Sequence, residues 1–117
     1  MLMAITLWHN PRCSKSREAV TLFEDKKTSI EIRLYLQDAP TIGEIETLLS
    51  QLDISPRDLM RKGEAVYKEL GLKDETSDKA LIKAMSDNPI LIERPIGIAN
   101  GTAIVGRPPE NLLALLK

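Results

Sequence analysis

His9-Asn10-Pro11-Arg12-Cys13-Ser14-Lys15-Ser16-Arg17 holds the one cysteine of a 117-residue chain and joins two different hydrophobic patterns. Before it, Leu2 to Trp8 is an apolar run containing β-branched residues. After it, Ala19, Leu22 and Phe23 recur at spacings of three and four, the period of a helix with one buried face. Cys13 is therefore expected where the loop after a strand turns into a helix. The first N–H groups of a helix have no internal partners, and the aligned peptide dipoles make that end positive. A thiolate is stabilised there, and His9, Arg12, Lys15 and Arg17 add positive or potentially positive charge with no acid among them. Such surroundings bring a cysteine pKa from about 8.5 down to roughly 3.5 to 7.5. A lone cysteine can instead be an inert small hydrophobe of the core, but Arg12, Ser14, Lys15 and Ser16 are poor core neighbours.

Outward from this stretch, Ile30-Glu31-Ile32-Arg33-Leu34 alternates apolar and charged residues, as a half-buried strand does. Strand, helix, strand makes a βαβ unit with a parallel pair and a right-handed crossover. Asp38-Ala39-Pro40 breaks the pattern. Thr41-Ile42-Gly43-Glu44 reads as a capping box ahead of Ile45, Leu48, Leu49 and Leu52 on one helical face. Ser55-Pro56 opens a short turn through Asp58, Leu59 and Met60. Glu64 to Leu70 resumes with Val66, Tyr67 and Leu70 in phase, and Gly71 suits the left-handed residue that closes a helix. Ser77 caps a segment carrying Leu81, Ala84 and Met85, which Asn88-Pro89 terminates. Ile90-Leu91-Ile92, Ile96-Gly97-Ile98 and Thr102-Ala103-Ile104-Val105 then read as strands. The last two are joined through Asn100-Gly101, a strong hairpin signal. Pro108-Pro109-Glu110 opens a final helix with Leu112, Leu113, Leu115 and Leu116.

The totals restrict the function. A chain of this length, 43% hydrophobic, suits a single domain over 1–117 with a proper core. Lys+Arg 16 against Asp+Glu 17 gives no basic field for nucleic acid. One cysteine excludes an internal disulfide, Met1-Leu2-Met3-Ala4 shows no basic region, long apolar core or cleavage site, so no signal peptide is expected, and no apolar run approaches the roughly 20 residues of a membrane span. A cytoplasmic monomer is expected, without a membrane or nucleic-acid partner. One cysteine and one histidine argue against a metal site, which takes three or four protein ligands. No bound cofactor is expected.

The order βαβ, helical block, ββα, with a cysteine at the first strand-to-helix junction, is that of an α/β thioredoxin-like fold with a mixed four-stranded sheet. Where thioredoxins carry C-x-x-C, this chain has Cys13-Ser14-Lys15-Ser16, so the loop has one thiol. Arg94-Pro95-Ile96 stands where that fold places its structural cis-proline, here Pro95. His9 and Ser16 join Cys13 as candidate catalytic residues. His9 either perturbs the thiol or stabilises the loop without proton transfer. Ser16 either donates a hydrogen bond to the thiolate or satisfies backbone groups in the first helical turn.

His9-Asn10-Pro11-x-Cys13-x-x-Ser16-Arg17, Leu59-Met60-Arg61-Lys62, Leu70-Gly71-Leu72, Asn88-Pro89-Ile90-Leu91-Ile92-Glu93-Arg94-Pro95-Ile96 and Gly106-Arg107-Pro108 together resemble the glutaredoxin-coupled arsenate reductase (ArsC) family. Within it they are most similar to the short YfgD-like branch, and the resemblance runs from Leu7 to about Leu116. It implies an oxidoreductase of arsenic detoxification in which Cys13 attacks arsenate and Arg61, Arg94 and Arg107 bind the oxyanion. Glutathione as co-substrate and glutaredoxin as partner would supply the other thiols, releasing arsenite. At Ser14-Lys15 the loop differs from the better-characterised reductases, which usually carry Gly-Thr. Two other functions suit the same fold. One is a glutathione-dependent thiol oxidoreductase with another substrate. The other is an Spx-like regulator that binds RNA polymerase, although Ser16 removes the C-x-x-C switch that many Spx proteins carry.

Overall fold

The computed structural model describes residues 5–116. They fall into two compact units, one made by the chain up to Asp38 and from Arg94 onward, the other by Ala39–Glu93. The first unit contains β1 (Ile5–Trp8), α1 (Ser14–Asp25), β2 (Ile30–Arg33), β3 (Ile96–Ala99), β4 (Thr102–Val105) and a 3₁₀ helix, Pro109–Leu116. The sheet order is β2-β1-β3-β4. β1 and β2 are parallel, with Ile5 opposite Ile30, and β3 runs antiparallel to both β1 and β4. This is the expected α/β thioredoxin-like class with a mixed four-stranded sheet. The part of the first apolar run before Ile5 lies outside the described residues.

Alternation along the strands decides what is buried. Ile5 and Leu7 join Ala19 and Phe23 of α1, Ala99 of β3, and Leu112 and Leu115 in one core. The neighbouring Trp8 stacks on Tyr35 at 6.2 Å between ring centroids, and its cross-strand partner Arg33 places its guanidinium 5.2 Å from the Trp8 ring centre. That distance is within range of a cation–π contact. Gly97, opposite Leu7, allows the 3₁₀ helix to lie close on the sheet. A Cβ there would stand 2.7 Å from Leu115 Cδ1 and 2.9 Å from Leu112 Cδ2. Gly106 is equally tight, 2.7 Å from Leu112 Cδ1 and 3.0 Å from Pro95 Cγ for the same added atom. In the hairpin, Asn100 and Gly101 both have positive φ, 52° and 75°, as the two-residue turn requires.

The expected final helix is thus a 3₁₀ helix, Pro109–Leu116. Its buried leucines, Leu112 and Leu115, are three apart, which is one 3₁₀ turn and puts both on the sheet.

The second unit is the inserted helical block. Thr41 caps α2 (Ile42–Leu52) in a full capping box, with Glu44 N–H donating to Thr41 Oγ1 at 3.1 Å and Thr41 N–H to Glu44 Oε1 at 3.0 Å. After α3 (Pro56–Leu59) and α4 (Ala65–Glu69), Gly71 adopts φ 64° and a 3₁₀ turn, Leu72–Asp74, follows. Ser77 caps α5 (Asp78–Asp87) by accepting from Ala80 N–H. Ile45, Leu48 and Leu49 of α2 and Leu81, Ile82, Ala84 and Met85 of α5 are buried.

One expectation fails here: Ile90-Leu91-Ile92 is not a strand. Pro89–Leu91 is a 3₁₀ turn, with Leu91 N–H bonded to Asn88 O and Ile92 N–H to Pro89 O. These bonds occupy the donors that a ladder would need. What remains of strand pairing is a single bridge, Met60 with Ile92, closed by Arg61 N–H to Leu91 O at 2.7 Å and Glu93 N–H to Leu59 O at 2.8 Å.

Two glycines should respond in opposite directions. Gly97→Val forces a side chain into Leu112 and Leu115 and should lower unfolding stability by about 1–3 kcal/mol. Gly43→Ala in α2 meets only Thr41 Oγ1, at 3.9 Å, and should raise stability by about 0.5 kcal/mol by reducing the freedom of the unfolded chain. Urea midpoints of the two variants against the parent protein give both values.

Candidate active site

The loop from β1 to α1 is wound on a buried hydroxyl. Ser16, with no exposed surface, accepts Asn10 N–H at Oγ, 3.0 Å away, and lies 2.7 Å from His9 Nδ1. His9 and Asn10 are buried beside it. Asn10 folds the next turn: its Oδ1 accepts Arg12 N–H at 3.0 Å and its carbonyl accepts Cys13 N–H at 3.0 Å. Arg17 Nη1 ties the turn to the helix by donating to Pro11 O at 2.9 Å.

These bonds leave Cys13 as the N-cap of α1, in an extended backbone conformation and half-buried. Burial pushes its thiol pKa up, but opposing effects outweigh it. A hydrogen bond from the Arg94 side chain, the Ser16 N–H, the charge of Arg94 and the Lys15 N–H together hold the thiol below its ordinary value. The helix end acts here through N–H groups, as orphan donors do. The dominant cation is Arg94, from the far end of the sequence. Lys15 contributes its backbone, while its ammonium lies 3.6 Å from Glu18 Oε2.

His9 is held below its ordinary pKa, first by burial and then by the charge of Arg17. A neutral ring carrying its proton on Nε2 lets the Ser16 hydroxyl donate to Nδ1, and both groups are then satisfied. The Ser16 side chain thus serves the loop, and the contact it makes with Cys13 is through its N–H.

Arg94 precedes β3, and its bond to Pro95 is cis, as is Arg107–Pro108. Arg107 Nη1 donates to Arg94 O at 2.8 Å and Gly106 N–H to Pro95 O at 2.8 Å. The two arginine segments are therefore bonded side by side. Arg61 belongs to the helical unit. There its Nε is 3.1 Å from Glu64 Oε2 and its Nη1 2.8 Å from Glu93 Oε1. The geometry brings together Cys13 with Arg94, His9 with Ser16, and Arg107 with the Arg94 backbone. Asn10 is a loop-shaping residue that sequence reasoning passed over, although Asn before Pro is a turn signal. Among the described residues no group of His, Cys, Asp and Glu could hold a metal ion, and no helix is long and apolar enough to cross a membrane.

One lowered thiol at the N-terminus of the helix after β1, with an arginine beside it, defines a monothiol protein of the thioredoxin-like fold. The chain matches the ArsC family over residues 8–115 and belongs to that family. It is 47% identical to YfgD of Escherichia coli (strain K12), a protein described as uncharacterized, over 99% of each chain. It is 46% identical to a protein of Neisseria meningitidis named arsenate reductase, covering 96% of this chain and 97% of that one. The structure of an arsenate reductase from Vibrio cholerae superposes with a TM-score of 0.95 at 44% identity, covering 98% and 99% of the two chains.

Two titrations follow from the site. Arg94→Ala should raise the pH midpoint of Cys13 thiolate absorbance in the ultraviolet, whereas Arg12→Ala should leave it in place. For His9, a folded pKa below the ordinary 6.5 means that the unfolded chain binds the proton first as pH falls. Stability should therefore decline from about pH 6.5 downward until folded His9 also titrates. His9→Gln should remove that part of the slope in urea midpoints taken across the range.

Proposed function

We propose that this chain is an arsenate reductase that depends on glutathione and glutaredoxin and works in the cytoplasm, where reduced glutathione is abundant, in arsenic detoxification. The observation that carries the reading is the lowered Cys13 thiol held by Arg94 and by the N–H groups of Lys15 and Ser16. Arsenate is a tetrahedral dianion near neutral pH, and a thiolate must approach it anion to anion. The same arginine and helix end that stabilise the thiolate can receive oxyanion oxygens. Relatives bearing the name of this activity support the substrate.

The reaction balances with three thiols. Cys13 sulfur attacks arsenic and one arsenate oxygen leaves as water. Glutathione displaces a second oxygen as water, so arsenic bridges two sulfurs. The glutaredoxin thiolate then attacks the glutathione sulfur, and the electron pair of that sulfur–arsenic bond stays on arsenic. The products are As(III) on Cys13 and a glutaredoxin–glutathione disulfide, whose two sulfurs have supplied the two electrons. Water releases arsenite and restores Cys13. The chain has no second cysteine to replace either external thiol. Phosphate suits the same donors, but thiols do not reduce phosphorus.

Arsenite formation should require both glutathione and glutaredoxin and vanish in Cys13→Ser. Arg94→Ala should slow it by about 10²- to 10³-fold, the usual cost of one electrostatic contact to a developing oxyanion. Arg107→Ala should slow it less, because Arg107 bonds the Arg94 carbonyl. Arg61, given to the oxyanion by the family resemblance, is tested by Arg61→Ala, which should raise KM for arsenate. Reduction of other glutathione-linked substrates without arsenite would identify a general thiol oxidoreductase. Activity with neither, and retention of RNA polymerase in a pull-down, would identify an Spx-like regulator.

A further inference from the structure

Lys62, Lys68 and Lys73 line one cavity of about 500 Å³ in the helical unit, together with Tyr67, Gly71 and Asp74. The size is that of a small-ligand site. Among the described residues no carboxylate pairs with any of these three ammonium groups, as is also true of Lys26, Lys27 and Lys79; what sets these three apart is that they line one cavity. Like charges gathered in a concave surface repel one another and raise the local potential for anions. In a chain of formal net charge −1, the residues lining this cavity include three lysines against one carboxylate, Asp74.

The wall that carries them is held in place. The Arg57 guanidinium donates to Tyr67 Oη at 2.6 Å, to Leu72 O at 3.0 Å and to Glu75 O. One half-buried cation thus ties α4, which bears Lys68, to the turn that bears Lys73. These bonds hold the backbone that carries Lys68 and Lys73, which reduces the ordering cost of binding.

We propose that this cavity binds a small multivalent anion of the phosphate class. No guanidinium lines it, so a ligand is held by point charges and not by the planar fork that takes either a carboxylate or a phosphate in two bonds. Ammonium groups are compact point charges with rotatable donors, suited to the dense charge of a phosphoryl group approached from several sides. The residues involved are separate from those at Cys13, so the proposal stands whatever the protein does with arsenate.

The test is a two-dimensional amide NMR titration of the full chain with sodium pyrophosphate at constant ionic strength. Amides of Lys62, Lys68, Gly71 and Lys73 should shift and saturate below about 10 mM. Lys68→Gln with Lys73→Gln should weaken the binding roughly ten- to thirty-fold, and Lys68→Arg with Lys73→Arg should restore most of it by returning the charge. ADP binding more tightly than pyrophosphate would assign an organic phosphate, and equal binding an inorganic one. Shifts that never saturate, that are confined to the Cys13 loop and Arg94, or that survive the double glutamine change would overturn the proposal. So would malonate, a dicarboxylate, matching pyrophosphate.

Discussion

The site depends on one buried oxygen. Ser16 Oγ takes Asn10 N–H and engages His9 Nδ1, so the chain leaving β1 must curl back over the first turn of α1. A buried polar network of this kind is stabilising when every member is satisfied and costly when one is not. Removing the hydroxyl would leave a buried N–H and a buried imidazole short of a partner. The turn built by Asn10 and the extended backbone at Cys13 follow from that closure. So does the placement of the half-buried sulfur at a helix end, against the N–H groups of Lys15 and Ser16.

The electrostatics of the thiol show how a local pattern and a distant residue share one task. The His9 to Arg17 segment looks basic enough to lower a thiol by itself, yet Arg12, Lys15 and Arg17 are exposed, and exposed charges act through water. Arg94 reaches the sulfur directly. It comes from the start of β3, next to β1 in the sheet. The antiparallel register of β1 and β3, with Trp8 opposite Ile96, is therefore what brings the end of the chain to the beginning. Arg61, by contrast, is held by Glu64 and Glu93 within the helical unit.

Features carried by short-range chemistry were legible in the sequence. The Thr41 capping box, the Ser77 cap, the Gly71 closure and the Asn100-Gly101 turn each need only neighbouring residues, and each is present. The βαβ start and the hairpin then limit the sheet to few orders, which is why the fold class followed. Ile90-Leu91-Ile92 misled because three apolar residues are buried equally well in a 3₁₀ turn, and Pro89 tips the choice by lacking an N–H. The final helix was legible as a helix, but its tighter winding was not, since Leu112 and Leu115 suit either period. The role of Gly97 was hidden for another reason: nothing in the pattern says which helix will lie over a strand. At the site, Cys13 declared itself as a lone thiol among polar residues, whereas the direction of the Ser16 side chain depends on a fold-level contact with His9.

The C-terminal 3₁₀ helix acts as a brace behind the arginines. Leu112 sits against both Gly97 and Gly106, and Gly106 in turn meets Pro95, so the residues next to Arg94 and Arg107 are backed by one leucine side chain. Leu115, one 3₁₀ turn further on, presses on the same strand at Gly97. A fusion partner or affinity tag attached directly behind this segment would pull on that brace. For this fold, the choice of which end to tag is a decision about the active site, and the longer the linker placed after the last leucines, the smaller the disturbance that reaches Arg94.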